Sequence, residues 1–204
     1  MFEVMDQTLM DYQNQRLLRF QRENLKIPKD SIIFAGDSII EFFPLKKHLG
    51  HDLPLVNRGI AGADSQWLLA HLKEQVWELE PAKVFILIGT NDIGLGYDES
   101  IILANISQII ETIRSESIHT HIHLFSVLPV NESPDYAERV KIRRNITIQS
   151  LNTKLSQLPG IDFIDLYPIL LDDTGQLAPA VTTDGLHLNQ RGYELISEVL
   201  KLYT

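Results

Sequence analysis

The sequence contains no cysteine, and this absence removes several structural and catalytic possibilities at once. Disulfide-bridged scaffolds, zinc sites built from thiolates and cysteine nucleophiles all require that residue. The chain also lacks an uninterrupted apolar run long enough to cross a bilayer, so no membrane span is expected. Its first residues include acidic side chains and lack the apolar core of a secretory signal. Together these absences favour a cytoplasmic location.

Positively charged residues are also fewer than negatively charged ones. The 204 residues include 18 Lys and Arg against 27 Asp and Glu, which gives a formal net charge of -9. An excess of negative charge repels a phosphate backbone, so nucleic acid is not expected as a partner. The densest basic group consists of Lys141, Arg143 and Arg144, which we interpret as the solvated face of a helix.

The sequence does contain an alternation of short apolar runs with helical patterns. The apolar runs have the length and composition of strands that are covered on both faces, as in a parallel sheet. They lie at residues 31–35, 53–57, 83–88, 119–127 and 161–165. Helical periodicity fills the intervals, at residues 65–79, 100–115, 136–158 and 190–203. This alternation predicts right-handed crossovers and a doubly wound α/β domain around a five-stranded parallel sheet.

One more helix is predicted ahead of the alternation, at residues 5–25, and Pro28 ends that segment. Because no linker interrupts the chain, residues 1–204 are predicted to form one domain, with residues 1–28 as an amino-terminal extension. The apolar face of this extension is modest, so it packs either on the domain or on a partner subunit. A homo-oligomer is therefore an open alternative.

Four short polar segments stand where an apolar strand ends or a helix begins. They are Gly-Asp-Ser at residues 36–38, Gly62, Gly-Thr-Asn-Asp at 89–92, and Asp-Gly-Leu-His at 184–187. In an open parallel sheet, ligands bind beyond the carboxyl ends of the strands. We therefore expect the four segments to converge at that edge of the sheet.

The residue types in these segments suit acyl transfer by a serine. Ser38 is the candidate nucleophile, and His187 is the candidate base, with Asp184 placed to orient its ring. Three groups can donate hydrogen bonds to a developing oxyanion: the backbone N–H of Ser38, the backbone N–H of Gly62 and the side-chain amide of Asn91. Gly62 has no Cβ, so its backbone can approach a bound carbonyl closely.

The same four segments, in this order, resemble the four blocks of the SGNH (GDSL-type) hydrolase superfamily. Within it, the chain is most similar to bacterial acylhydrolases of the platelet-activating-factor acetylhydrolase type. The resemblance implies a flavodoxin-like, three-layer α/β/α fold, no metal and no other cofactor. It also implies Ser38, Asp184 and His187 as catalytic residues and Ser38, Gly62 and Asn91 as the oxyanion hole. One departure is Ile39, where the name-giving motif has Leu.

The leading hypothesis is therefore a serine esterase that cleaves a short-chain acyl group from a small-molecule ester, through an acyl-enzyme on Ser38. The sequence leaves an acetylated sugar, a lysophospholipid and a simple alkyl ester open as substrates. Asp37 and Asp92 are expected to support the site rather than to react. Ile93, Leu95, Val130 and Val181 are expected to contribute a partly apolar pocket wall.

Two alternative functions remain open. The first is a metal-dependent phosphoesterase that uses Asp37, Asn91, Asp92 and several His residues. The second is a non-catalytic binding module on the same fold, because a fold by itself does not establish an activity.

Overall fold

The computed structural model describes all 204 residues, Met1–Thr204. Its centre is a five-stranded sheet in which every neighbouring pair of strands is parallel. The strands are β1 (Ile32–Gly36), β2 (Leu55–Gly59), β3 (Lys83–Leu87), β4 (His121–Phe125) and β5 (Asp162–Ile164). Their order across the sheet is β2-β1-β3-β4-β5. The predicted five-stranded parallel sheet is confirmed, with strand ends shifted by at most two residues.

Ten helices surround the sheet. They are α1 (Gln7–Asn24), α2 (Ser38–Glu41), α3 (Leu45–Leu49), α4 (Ser65–Ala70), α5 (Leu72–Gln75), α6 (Thr90–Leu95), α7 (Glu99–Glu116), α8 (Ala137–Val140), α9 (Asn145–Leu155) and α10 (Gln190–Leu200). None of them combines the length and the apolar composition that crossing a bilayer requires.

Two apolar cores lie on opposite faces of the sheet, because successive side chains of a strand point to opposite sides. In β1, Ile33 and Ala35 belong to one core, together with residues of α4, α7 and α9. Ile32 and Phe34 belong to the other core, together with residues of α2, α3 and α10. The strands are therefore apolar at consecutive positions, and the molecule has the predicted three-layer α/β/α architecture.

Two of the predicted helices are interrupted. The segment predicted at residues 65–79 is divided into α4, α5 and a 3-10 turn at Trp77–Leu79. The apolar period continues across the break because Leu72, Val76 and Leu79 all enter the same core. The segment predicted at residues 136–158 breaks between α8 and α9, where the backbone of Lys141 has a φ of 56°.

The interpretation of the basic group as a solvated helix face is wrong for Arg143. Its side chain is completely buried, and it lies in the break between α8 and α9. The sequence alone predicts exposure because an arginine is almost never buried unless charged or polar groups satisfy it. Those groups come from parts of the chain that are distant in sequence, as described below.

The amino-terminal helix α1 packs on the domain of the same chain. Phe20 is buried in a small apolar cluster with Ile60 and Ala63, which follow β2. The guanidinium of Arg58 stacks over the Phe20 ring at 4.3 Å from its centroid. Two hydrogen bonds join α1 to the end of β2 and the loop after it, from Arg16 to the carbonyl of Gly59 at 3.3 Å and from Gln13 to that of Ala61 at 3.1 Å. Helix α1 thus supports the loop that follows β2.

We expect Gly59→Ala to destabilise the fold, because β2 and α2 approach each other closely at this residue. A Cβ on Gly59 would lie 2.6 Å from the carbonyl carbon of Ile40, and backbone atoms cannot move aside as a side chain can. Overpacking of this kind costs about 1–3 kcal/mol. Urea unfolding measures the loss, and an unchanged midpoint would show that α2 shifts without cost.

Candidate active site

Ser38 and His187 meet although they are 149 positions apart in sequence. Ser38 follows the carboxyl end of β1, and His187 lies in the loop before α10. The Oγ atom of Ser38 lies 2.9 Å from Nε2 of His187. This distance allows a hydrogen bond, so a proton can pass directly from the hydroxyl to the ring.

Asp184 holds the imidazole from its other side. The Nδ1 atom of His187 lies 2.7 Å from one carboxylate oxygen of Asp184. The second oxygen accepts hydrogen bonds from the backbone N–H groups of Leu186 at 3.1 Å and His187 at 2.8 Å. Because the carboxylate is a hydrogen-bond acceptor, the ring proton lies on Nδ1, and Nε2 is left to accept from Ser38.

The pKa of Asp184 is lowered, so this residue is ionised near neutrality. Burial acts to raise its pKa, but hydrogen bonds from the ring and the backbone of His187 outweigh that effect. Arg139 adds an ion pair, with its Nε atom 3.2 Å from the oxygen that faces the ring. The ionised carboxylate of Asp184 therefore faces the imidazole ring from the side opposite Ser38.

The turn after β1 presents Ser38 at the start of α2. The side chain of Asp37 caps this helix by accepting a hydrogen bond from the backbone N–H of Ile39 at 2.8 Å. A Cβ on Gly36 would lie 3.0 Å from the carbonyl carbon of Leu87, so the end of β1 has no room for a side chain beside β3. Ser38 stands in the first turn of α2, where backbone N–H groups lack partners within the helix.

Gly62 and Asn91 face the same space as Ser38. Gly62 has a φ of 75°, which favours glycine. The amide of Asn91 donates a hydrogen bond through Nδ2 to the carbonyl of Ala63 at 2.9 Å, and its Oδ1 accepts one from Arg143 at 3.2 Å. An amide nitrogen carries two hydrogens, so one N–H of Asn91 has no partner in the protein.

Asp37 and Asp92 lie beneath the site and do not line it. The carboxylate of Asp92 accepts hydrogen bonds from the backbone N–H of Ser65, at 3.0 and 3.1 Å, and from its hydroxyl. Burial is the main cause that raises the pKa of Asp92 to about 6. It raises the pKa of Asp37 to about 7. Asp37 joins the turn after β1 to α2, and Asp92 joins α6 to the start of α4.

The five residues singled out from the sequence line one cavity of about 460 Å³. Its other lining residues are Glu3, Met5, Leu9, Phe42, Ala61, Leu95, Arg139, Thr183, Leu186 and Leu188. Of the four apolar residues expected in the wall, only Leu95 lines the cavity, whereas Ile93, Val130 and Val181 belong to the two apolar cores. No group of three or more His, Cys, Asp or Glu side chains is arranged to hold a metal ion.

The amino-terminal residues that line the cavity were not predicted from the sequence. Glu3 and Met5 precede α1 and Leu9 lies in its first turn, yet all three reach the cavity, far ahead in sequence of β1 and Ser38. Neither periodicity nor a motif marks them. The only signal is the opposite charge of Glu3 and Arg143, and sequence gives no reason to pair residues so far apart.

A three-layer α/β/α fold with a serine, a histidine and an aspartate at the carboxyl edge of its parallel sheet is that of the SGNH hydrolases. A family model described as the GDSL-like Lipase/Acylhydrolase family matches residues 34–195. The chain belongs to this family, which confirms the resemblance found in the sequence. By this membership it is an enzyme of the carboxylic ester hydrolase class.

Solved structures agree with this assignment. A protein from Streptococcus pneumonia, provisionally described as a platelet activating factor, is 36% identical and has a TM-score of 0.92. That match covers 96% of this chain and 94% of the other. A protein from Bacteroides fragilis NCTC 9343, provisionally described as an acylhydrolase, is 28% identical with a TM-score of 0.80. Here 91% of this chain and 94% of the other are covered.

Among curated proteins, the chain is similar to an N-acylneuraminate cytidylyltransferase from Escherichia coli O18:K1:H7. The two are 30% identical over 177 residues, which is 83% of this chain. The match spans only 40% of the length of that relative.

The raised pKa of Asp37 predicts a loss of stability as the pH rises. From its usual value of 3.8 to its folded value of about 7, the folded protein keeps a proton on Asp37 that the unfolded chain has released. The stabilisation is complete below pH 3.8 and declines until Asp37 ionises near pH 7. Asp37→Asn keeps the helix cap but cannot titrate. Urea unfolding of both proteins from about pH 5 to 8 should show the unmutated protein losing stability relative to the variant, whereas parallel pH curves would contradict the shift.

Proposed function

We propose that the protein is a serine acylhydrolase that cleaves an ester through an acyl-enzyme on Ser38. Nε2 of His187 takes the Ser38 proton while Oγ bonds to the ester carbonyl carbon. The tetrahedral intermediate then releases the alcohol, which receives that proton from His187. A water molecule gives a proton to His187 and attacks the acyl-enzyme, and the acid leaves as Ser38 recovers its proton. The observation that carries this proposal is the continuous chain of contacts from Ser38 through His187 to Asp184, at 2.9 and 2.7 Å.

Three groups serve as donors to the oxyanion in this proposal. They are the backbone N–H groups of Ser38 and Gly62 and the unpartnered side-chain N–H of Asn91. Each follows a different strand of the sheet, and hydrogen bonds with Ala63 and Arg143 hold the Asn91 amide before the substrate arrives. Fixed donors stabilise the developing charge without reorganisation, and removal of one costs on the order of 3 kcal/mol.

We propose a short acyl chain for the substrate. A Cβ on Gly62 would lie 2.7 Å from Cδ2 of Leu9, so α1 leaves little space above the Gly62 backbone. Met5 and Leu9 extend this apolar wall along the cavity. The alcohol part of the substrate stays open between an acetylated sugar, a lysophospholipid and a simple alkyl ester. This chain matches only 40% of the cytidylyltransferase relative, so we do not propose a cytidylyltransferase activity for it.

Ser38→Ala should abolish turnover of p-nitrophenyl acetate, because no other group then bonds to the carbonyl carbon. The rate should fall by at least about 10³-fold. Ser156→Ala, the same chemical change at an exposed position, is the control and should leave the rate unchanged. Retention of the rate in Ser38→Ala would refute the assignment.

Two further measurements separate the alternatives. A fluorophosphonate should label Ser38 covalently, and a folded protein that resists labelling would favour a binding module. Activity should survive dialysis against a chelator, and its loss would favour the metal-dependent phosphoesterase.

Leu9→Ala should widen the acyl specificity. Removal of its isobutyl group opens space beside Gly62, so kcat/KM for p-nitrophenyl octanoate should rise relative to acetate. Leu18→Ala is the matched control, because Leu18 lies on the same helix but is 53% exposed to solvent. Equal chain-length profiles for both variants would show that α1 does not limit the acyl group.

A further inference from the structure

We propose that Arg143 is a positioning residue that orients the side-chain amide of Asn91 toward the reacting carbonyl. The amino-terminal segment around Glu3 holds the guanidinium in place for this task. The inference rests on the proposed role of Asn91 as an oxyanion donor, and it adds a residue that neither the motifs nor the family assignment supplies.

The guanidinium of Arg143 is held on every side by acceptors. Its Nε donates to the carbonyl of Thr90 at 2.8 Å, and its Nη2 donates to Oδ1 of Asn91 at 3.2 Å. Both terminal nitrogens also lie 3.1 Å from the same carboxylate oxygen of Glu3. Because the guanidinium is planar and rigid, these contacts fix the direction from which Asn91 receives its hydrogen bond.

This arrangement permits only one orientation of the Asn91 amide. If the amide rotated by half a turn, its NH₂ group would face the donors of Arg143, and its oxygen would face the carbonyl of Ala63. Both contacts would then be repulsive, in a site where Asn91 is only 8% exposed. The observed orientation leaves the second N–H of Asn91 free for the substrate. The positively charged guanidinium of Arg143, which donates to the amide oxygen, also polarises the amide and strengthens that N–H as a donor.

Gly94 provides the space that the guanidinium occupies. A Cβ on this residue would fall within the guanidinium, 2.8 Å from Nη1 and closer to Nη2. Gly94 lies inside α6, where glycine is less favourable than alanine for helix stability. Close packing of Arg143 against the helix therefore explains this glycine, and it also offers a way to displace the guanidinium without removing a charge.

Glu3 supplies the charge that a buried guanidinium needs. It pairs with Arg143 and also with Lys141, whose Nζ lies 2.5 Å from the other oxygen. Burial acts to raise the pKa of Glu3, but the contacts with Lys141 and Arg143 lower it overall. The backbone N–H of Glu3 donates to the carbonyl of Gly94 at 2.7 Å. Since the family model begins at residue 34, this support comes from outside the matched segment.

The test is a set of double-mutant cycles on the full chain, with kcat and KM for p-nitrophenyl acetate as readouts. Asn91→Ala should lower kcat by about 10²- to 10³-fold. Arg143→Gln and Gly94→Ala should each lower kcat by about tenfold or more with little change in KM, because the donor acts in the transition state. In the Asn91→Ala background, either change should alter kcat by less than about twofold, since no amide is left to orient.

A second pair of variants tests the amino-terminal support. Glu3→Gln should lower kcat in the unmutated background but not in Asn91→Ala. Glu99→Gln is the matched control, because Glu99 is ion-paired with Lys154 and its side chain is 24% exposed, against 25% for Glu3. It should leave kcat unchanged.

The outcomes distinguish this inference from the proposed function. Full activity of Asn91→Ala would remove the oxyanion role of Asn91 and the positioning role with it. If Gly94→Ala and Glu3→Gln lower kcat by the same factor in the Asn91→Ala background as in the unmutated protein, the positioning role of Arg143 is wrong. The oxyanion role of Asn91 would still stand. Thermal unfolding of each variant identifies any that does not fold. If Arg143→Gln is such a variant, Gly94→Ala and Glu3→Gln decide the question, because both keep the arginine.

Discussion

Burial of a parallel sheet on both faces is the constraint on which the rest of this structure depends. Each strand must be followed by a crossover that covers one face, so every strand delivers its carboxyl end to the same edge. Ser38, Gly62 and Asn91 follow β1, β2 and β3 in this way. The loop with Asp184 and His187 reaches the same edge because α10 packs on the second core. Covering the sheet therefore also assembles the cavity.

This constraint explains which features could be predicted from the sequence. The strands could be located because both cores require apolar side chains at consecutive positions, as Ile32, Ile33, Phe34 and Ala35 show in β1. The cavity residues could be named because their short polar segments stand where a strand ends or a helix begins, and because the four segments in this order resemble the SGNH blocks. Helix breaks could not be located, because an apolar period continues wherever side chains enter one core, whether the backbone is helical or not.

Arg143 and the amino-terminal residues escaped prediction for a different reason. Their importance lies in contacts between segments with no local relation, such as Glu3 with Arg143 and Leu9 with Gly62. A single arginine in a polar context predicts solvent exposure, and only the coordinates of its partners reverse that expectation. Three buried polar groups hold the elements of the site together: Asp37 caps α2, Asp92 joins α6 to α4, and Arg143 binds the start of α6.

The first residues lie near the carboxyl ends of the strands, and the last residues lie near their amino ends. Phe2 packs against Gly96 beside the cavity, and Met1 is 91% exposed there. The carbonyl of Tyr203, by contrast, accepts a hydrogen bond from Lys83, the first residue of β3. A fusion partner or an immobilising tether joined at Met1 would thus emerge next to the cavity, which Glu3 and Met5 line. The same attachment at Thr204 would stand across the molecule, away from the cavity.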